Sequence, residues 1–190
     1  VRTLLAGLVL AAVLPAAAGG KPPDPPNTTI SSGPPPIVAS DSATFTFGSS
    51  QEGSTFACAL DSAVFQNCGS PATISVSDGE HRFFVIAIRD GDTDPTPAAW
   101  TWTADTTPPK AVVKHQVDVG YRRLVLRWGS PLSAGADSVT VLQSGSPSRP
   151  PSREIYRGGG SRFVITGFAN GVYRRYRIIA SDKAGNVSPA

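Results

Sequence analysis

The sequence predicts an all-β protein of two small β-sandwiches in tandem behind an N-terminal export signal, and three observations lead there. The chain carries 19 glycines and 18 prolines against only 16% charged residues, the balance of a turn-rich β protein rather than a helical one. Apolar and polar residues alternate with a period of two in short runs, and turn residues punctuate them roughly every 8–12 positions, as in sandwiches. Between two such regions stands Asp105-Thr106-Thr107-Pro108-Pro109, whose paired prolines stiffen the backbone and remove ladder donors.

The first element is the opening. Val1-Arg2-Thr3 precedes an apolar stretch from Leu4 to Leu14, and Ala16-x-Ala18 offers a small-residue cleavage site. A basic start, an apolar centre and a small-residue end are the parts of a secretory signal, whereas a membrane span needs about 20 apolar residues. We assign 1–18 as the signal peptide, with an uncleaved N-terminal helix as the alternative, and expect a secreted, extracellular chain with no transmembrane span. No Cys near the cut supports a lipid anchor. Val1 in a chain without Met fits an alternative start codon and a fragment equally.

Residues 19–25 read as a Pro/Gly-rich linker, and the first sandwich is placed over 26–105. From Gly19 to Pro36 only Thr28–Ser31 has the composition to pair as a strand. Thr46–Ala104 contains no ten-residue run free of Gly, Pro and β-branched residues, so no helix propagates there. Ala43, Phe45 and Phe47 share one face, as do Phe56, Cys58 and Leu60. After Ile74 and Val76 and the Asp78-Gly79 turn, His81, Phe83, Val85 and Ala87 form the inward set of a long strand. Trp100 and Trp102 end the region.

With 106–109 as a linker, the second sandwich is placed over 110–190. Its inward positions are Leu124, Leu126 and Trp128, then Val139 and Val141, Phe163 and Ile165, and Tyr176, Ile178 and Ala180. Gly129-Ser130-Pro131, Gly145-Ser146-Pro147, Gly158-Gly159-Gly160 and Asn170-Gly171 punctuate them. The glycine triplet is read as a hairpin loop rather than a phosphate cradle.

The only cysteines are Cys58 and Cys68. Export places them in an oxidising compartment, so they are expected to form a disulfide; a zinc site would need more Cys or His at closer spacing.

No arrangement of nucleophile, base or metal ligand emerges. Gly-x-Ser-x-Gly, His-Glu-x-x-His, phosphate-loop and dinucleotide motifs are all missing from the sequence, so the reading is a non-enzyme without a cofactor. His81 and His115 have no evident partner and read as structural. Asp90, Asp92 and Asp94 alternate and would face a calcium ion, but Pro95 and Trp100 replace the Gly and Glu of the EF-hand pattern; a solvated turn is the plainer reading.

Charge divides the chain. Residues 110–190 hold 13 Lys and Arg against 4 Asp and Glu, a net +9, while 21–109 hold 3 against 10, a net −7. Arg122, Arg123 and Arg127 on one strand, with Arg174, Arg175 and Arg177 on another, are a candidate face for a polyanion. A solvated surface or attraction between the halves is the bland alternative. No nucleic-acid motif accompanies the charge.

The second region resembles a bacterial fibronectin type III domain, through Leu126-Arg127-Trp128-Gly129-Ser130-Pro131 and through Asn170-Gly171 ahead of Tyr176-Arg177-Ile178-Ile179-Ala180-Ser181-Asp182. The first resembles bacterial immunoglobulin-like repeats, through Thr55-Phe56-Ala57-Cys58-Ala59-Leu60-Asp61, Phe65-Gln66-Asn67-Cys68 and Gly79-Glu80-His81-Arg82-Phe83. Two positions depart from the type III pattern. Arg174 stands where that family places the tyrosine of its corner, and the sequence stops at Ala190 before a seventh strand, so the second sandwich is expected to lack its last strand. The resemblance implies a non-catalytic spacer or an adhesion or surface-interaction module. Its partner would be a cell-wall polymer, a polysaccharide or a surface protein. The alternative is an accessory module of a secreted polysaccharide-degrading glycoside hydrolase.

Overall fold

The computed structural model describes residues 24–167, 169 and 171–189. The signal assignment 1–18, most of the 19–25 linker, and Phe168 and Asn170 lie outside the described residues.

Alternation decides the first half. Strands β1 (Thr28–Ser32), β2 (Ile37–Val38), β3 (Ser42–Ser49), β4 (Thr55–Leu60), β5 (Gln66–Cys68), β6 (Ala72–Ser75), β7 (Gly79–Arg89), β8 (Asp92–Thr93) and β9 (Ala98–Ala104) follow in chain order. They form one sheet in the order β1-β3-β6 and a second in the order β2-β9-β7-β4-β5, with β8 paired to β7. Along β3 and β7 every second residue is buried, and the two inward rows meet as Ala43, Phe45, Phe47, Phe83, Val85 and Trp102. The rings of Phe45 and Phe83 stack with centroids 4.1 Å apart, and Trp102 meets Phe45 edge-on at 5.2 Å.

Strand β4 departs from simple alternation. Phe56, Cys58 and Leu60 pack against the core as expected, yet Ala57 and Ala59 on the opposite face are the fully buried residues. The register explains this, because Ala57 lies opposite Ile86 and Ala59 opposite Phe84. Large outward neighbours cover small ones.

Cys58 and Cys68 are bonded, with Cα atoms 5.8 Å apart. Cys68 pairs with Phe56 in the β4–β5 ladder while Cys58 pairs with Gln66, so the bond runs diagonally across the two strands. It ties β5, a three-residue edge strand, to the core. Closing a loop of this length contributes about 2–3 kcal/mol on chain-entropy grounds. The double substitution Cys58→Ser and Cys68→Ser is expected to lower unfolding free energy by about that amount, read as a shifted denaturant midpoint.

The second half contains β10 (Gln116–Gly120), β11 (Arg123–Arg127), β12 (Ser138–Gln143), β13 (Arg153–Gly158), β14 (Arg162–Thr166) and β15 (Tyr176–Ser181). Two three-stranded sheets result, β10-β11-β14 and β13-β12-β15. Between them lie Leu124, Leu126, Trp128, Val139, Val141 and Ala180, with Phe163, Ile165, Tyr176 and Ile178 packed alongside. This cluster shares no residue with that of the first half. The single helical feature among the described residues is a 3₁₀ turn, Pro131–Ala134, started by Pro131 and closed by Gly135 in the left-handed conformation.

The glycine triplet is not a hairpin loop. Strands β13 and β14 belong to different sheets, so Gly158-Gly159-Gly160 carries the chain across the sandwich. Small residues are needed because the Tyr156 ring lies over the crossing. A Cβ on Gly160 would stand 2.7 Å from the Tyr156 hydroxyl, which itself accepts the Gly160 N–H at 3.1 Å. Trp128 Nε1–H donates to the Gly160 carbonyl at 2.9 Å, locking the crossing to the core.

The junction is bonded at both ends. Asp78 accepts hydrogen bonds from the Thr106 N–H and from the Thr106 and Thr107 hydroxyls, and Lys110 N–H reaches the Ala134 carbonyl at 2.9 Å. Asn186 Nδ2 donates to the Asp105 carbonyl at 2.7 Å.

Candidate functional site

The six arginines do not form one face. Strand β11 turns Leu124 and Leu126 inward, so Arg123 and Arg127 project from the opposite side of the sheet, and Arg122 occupies the β10–β11 turn with φ 50°. Arg122, Arg123 and Arg174 line one cleft of about 390 Å³. Arg127 and Arg177 line a neighbouring cleft of about 280 Å³. Arg127 is held by Asp118, Nε to Oδ2 at 2.9 Å, a pairing that keeps the Asp118 carboxyl below the usual range with help from Gln116. Arg175 is exposed, its backbone exchanging hydrogen bonds with Ser144 through Ser144 N–H to the Arg175 carbonyl and Arg175 N–H to Ser144 Oγ. Arg122, Arg123 and Arg174 form no ion pair with any described residue.

The two clefts adjoin, with Val117 and Tyr176 in the lining of both, and each has residues of β10 on one side and of β15 on the other. Register sets Val117 opposite Leu126 and Val119 opposite Leu124, which places both valines on the inward side of their sheet. They are nevertheless 54% and 81% exposed, because no strand of the facing sheet among the described residues reaches over them. Tyr121, 84% exposed, and Tyr173, 78% exposed, stand at the arginine end. Tyr173 thus makes no inward corner. The sequence signals that Val117 and Val119 are paired apolar positions, but their exposure depends on which strands end where.

His81 has two partners that its isolation in sequence concealed. Nδ1 lies 2.7 Å from Asp61 Oδ2 and Nε2 lies 2.8 Å from the Ser77 carbonyl. Asp61, in a left-handed turn, also accepts the Arg82 N–H at 2.7 Å. The hydrogen bond to Asp61 raises the His81 pKa above its ordinary 6.5, assisted by the Ser77 carbonyl and opposed by burial. Burial pushes the Asp61 carboxyl up, but hydrogen bonds from His81 and the Arg82 N–H outweigh it and hold the pKa below 3.8. A raised folded-state pKa for His81 means that this stabilisation is complete below pH 6.5 and is lost as pH rises through the raised value. The melting temperature is expected to fall as pH rises above 6.5 through the raised His81 value, and Asp61→Asn is expected to flatten that slope.

The three alternating aspartates divide their work. Asp90 pairs with Arg89 Nε at 2.9 Å, and Asp92 opens β8. Asp94 is turned inward and buried. Its Oδ2 accepts the Thr28 N–H at 2.6 Å, and its Oδ1 accepts the Thr96 N–H at 2.8 Å and hydroxyl at 2.9 Å. Burial raises the Asp94 pKa, and these bonds more than offset it, leaving the carboxyl below its usual range. Thr28 in turn accepts the Ala87 N–H at 2.8 Å, so Asp94 fastens β1 to the β7–β9 side of the core. Among the described residues no group of three His, Cys, Asp or Glu is placed to hold a metal ion.

Two packed sheets in each half make this an all-β protein with an immunoglobulin-like, fibronectin type III-like sandwich fold. No protein-family model matches the chain, and no curated protein matches it. Similar solved structures include the FN1–FN3 domains of chicken CNTN1, with a TM-score of 0.58 and 10% identity over 87% of this chain and 65% of that one. Domains A168–A170 of titin align with a TM-score of 0.51 and 15% identity over 78% of this chain and 55% of that one. The two-domain fibronectin type III segment of chicken tenascin covers 87% of this chain and 95% of its own at 14% identity, with a TM-score of 0.35. The chain spans 65% and 55% of the length of the first two, and the likeness at such identities is one of fold alone.

Proposed function

We propose that the protein is an extracellular, non-catalytic spacer or surface-interaction module whose second sandwich holds a polyanion such as a cell-wall polymer. The observation that carries this reading is a pair of arginines without an ion-pair partner among the described residues, Arg122 and Arg174, at one cleft, with Arg123 beside them on the outer face of the sheet. The net charge of +9 over 110–190 adds a long-range attraction for anions. Two separate apolar clusters support domains at 26–105 and 110–190 with 106–109 between them.

An array of cell-wall polymers and glycans probed with the purified chain tests this. Binding to anionic polymers is expected to weaken at least tenfold as salt rises to about 1 M, where the screening length shrinks to about 3 Å. The triple substitution Arg122→Ala, Arg123→Ala, Arg174→Ala is expected to remove it without changing the melting temperature. Salt-resistant binding that survives the triple substitution would contradict the reading.

A further inference from the structure

We propose that the outer face of the larger sheet of the first half binds a second copy of this chain, the two β7 strands packing antiparallel about a two-fold axis at Ile86. This does not rest on the polyanion reading.

Strand β7 is apolar on both sides. Phe83, Phe84, Val85, Ile86, Ala87 and Ile88 are consecutive, the composition of a strand covered on two faces. Phe83, Val85 and Ala87 turn inward and are buried. Phe84, Ile86 and Ile88 therefore turn outward, remain half-buried and belong to neither core cluster. The neighbouring strands leave this row standing proud, because Ala57 and Ala59 of β4 lie opposite Ile86 and Phe84, and Ala99 of β9 lies opposite Phe84 on the other side. A ridge of large side chains between low flanks is shaped to interdigitate with a second sheet of the same relief. At the Phe84 end an open cleft of about 560 Å³, lined by Arg82 and Phe84 among others, leaves room for a large apolar side chain.

Charge names the occupant. The outward row reads Arg82, Phe84, Ile86, Ile88 and then Asp90 at the turn, a cation at one end and an acid at the other. Arg82 and Arg89 are the only Lys or Arg residues between positions 24 and 109. The Arg82 guanidinium lies over the Phe84 ring at 4.7 Å and forms no ion pair with any described residue. Asp90 pairs with Arg89, its side chain 84% exposed. Turned antiparallel onto a copy of itself, the row is its own complement: Ile86 meets the copy's Ile86, Phe84 meets its Ile88, and Arg82 meets its Asp90. Each unlike contact then occurs twice, as an isologous interface requires. Five strands spaced about 4.8 Å apart and about 24 Å long offer at most about 600 Å² per copy, the lower end for a specific interface and enough for a reversible dimer.

Sedimentation equilibrium of the full chain tests this. A reversible monomer–dimer equilibrium is expected. Arg82→Asp and Asp90→Arg are each expected to weaken it by about tenfold or more, because each sets like charges against one another twice across the axis. Mixed in equal amounts, the same two variants are expected to regain the dimer, since one copy then presents acids at both ends of its row and the other presents bases. That recovery also shows that both variants are folded. A chain that stays monomeric at every concentration would overturn the proposal and leave the face to a different partner. A dimer indifferent to both charge reversals, or a mixture that does not recover, would overturn it by placing the contact elsewhere.

Discussion

Phe83→Ala is expected to cost about 3–5 kcal/mol, the range for deleting a large aromatic from a packed core. Phe83 is 1% exposed, stacks on Phe45 and lies within 6.1 Å of Phe47 by ring centroids. It also faces Leu60 and Trp100 across its two ladders. No neighbour can collapse into the space, because both flanking strands are fixed by β-pairing and one carries the disulfide. A small domain has only about 5–15 kcal/mol in total, so the first sandwich is expected to stand near its unfolding threshold. The second core, sharing no residue with it, is expected to keep its stability. Chemical denaturation followed by tryptophan fluorescence checks this: the phase that reports Trp100 and Trp102 moves and that of Trp128 stays.

Trp128→Ala is the matching change in the second sandwich, and its effect is expected to be at least as large. Beyond the lost packing against Tyr156, at 5.5 Å between centroids, it removes the donor to the Gly160 carbonyl. That frees the crossing between the two sheets as well as emptying the core. A loss of about 3–5 kcal/mol from packing plus about 1 kcal/mol from the hydrogen bond is expected, confined to 110–190. Trp128→Phe, which keeps most of the apolar volume, is expected to recover most of the loss. Calorimetry of the two variants measures both effects.

Alternation made the cores legible in the sequence. Phe45, Phe47, Phe83, Val85, Val139 and Val141 repeat with the period of a strand, and every one is buried or packed inward. The cysteines were legible through their number and setting. What escaped depends on which strands become neighbours. The burial of Ala57 and Ala59 follows from Ile86 and Phe84 lying opposite them. The partnership of His81 with Asp61 follows from the β4–β7 register, which brings residues 20 positions apart within 2.7 Å. Gly158–Gly160 reads locally like a hairpin, and only the assignment of β13 and β14 to different sheets reveals a crossover. The arginines were legible as a charge excess but not as two clefts, since their direction is set by strand pairing. Nor does any local pattern say that Val117 and Val119 would face inward and still be exposed.

Two independently cored sandwiches, only the first of them stapled, are expected to unfold separately, and scanning calorimetry of the full chain with and without reductant checks that claim. Two transitions are expected, with reductant lowering one and leaving the other in place. A single transition that moves as a whole on reduction, or two that move together, would contradict the claim.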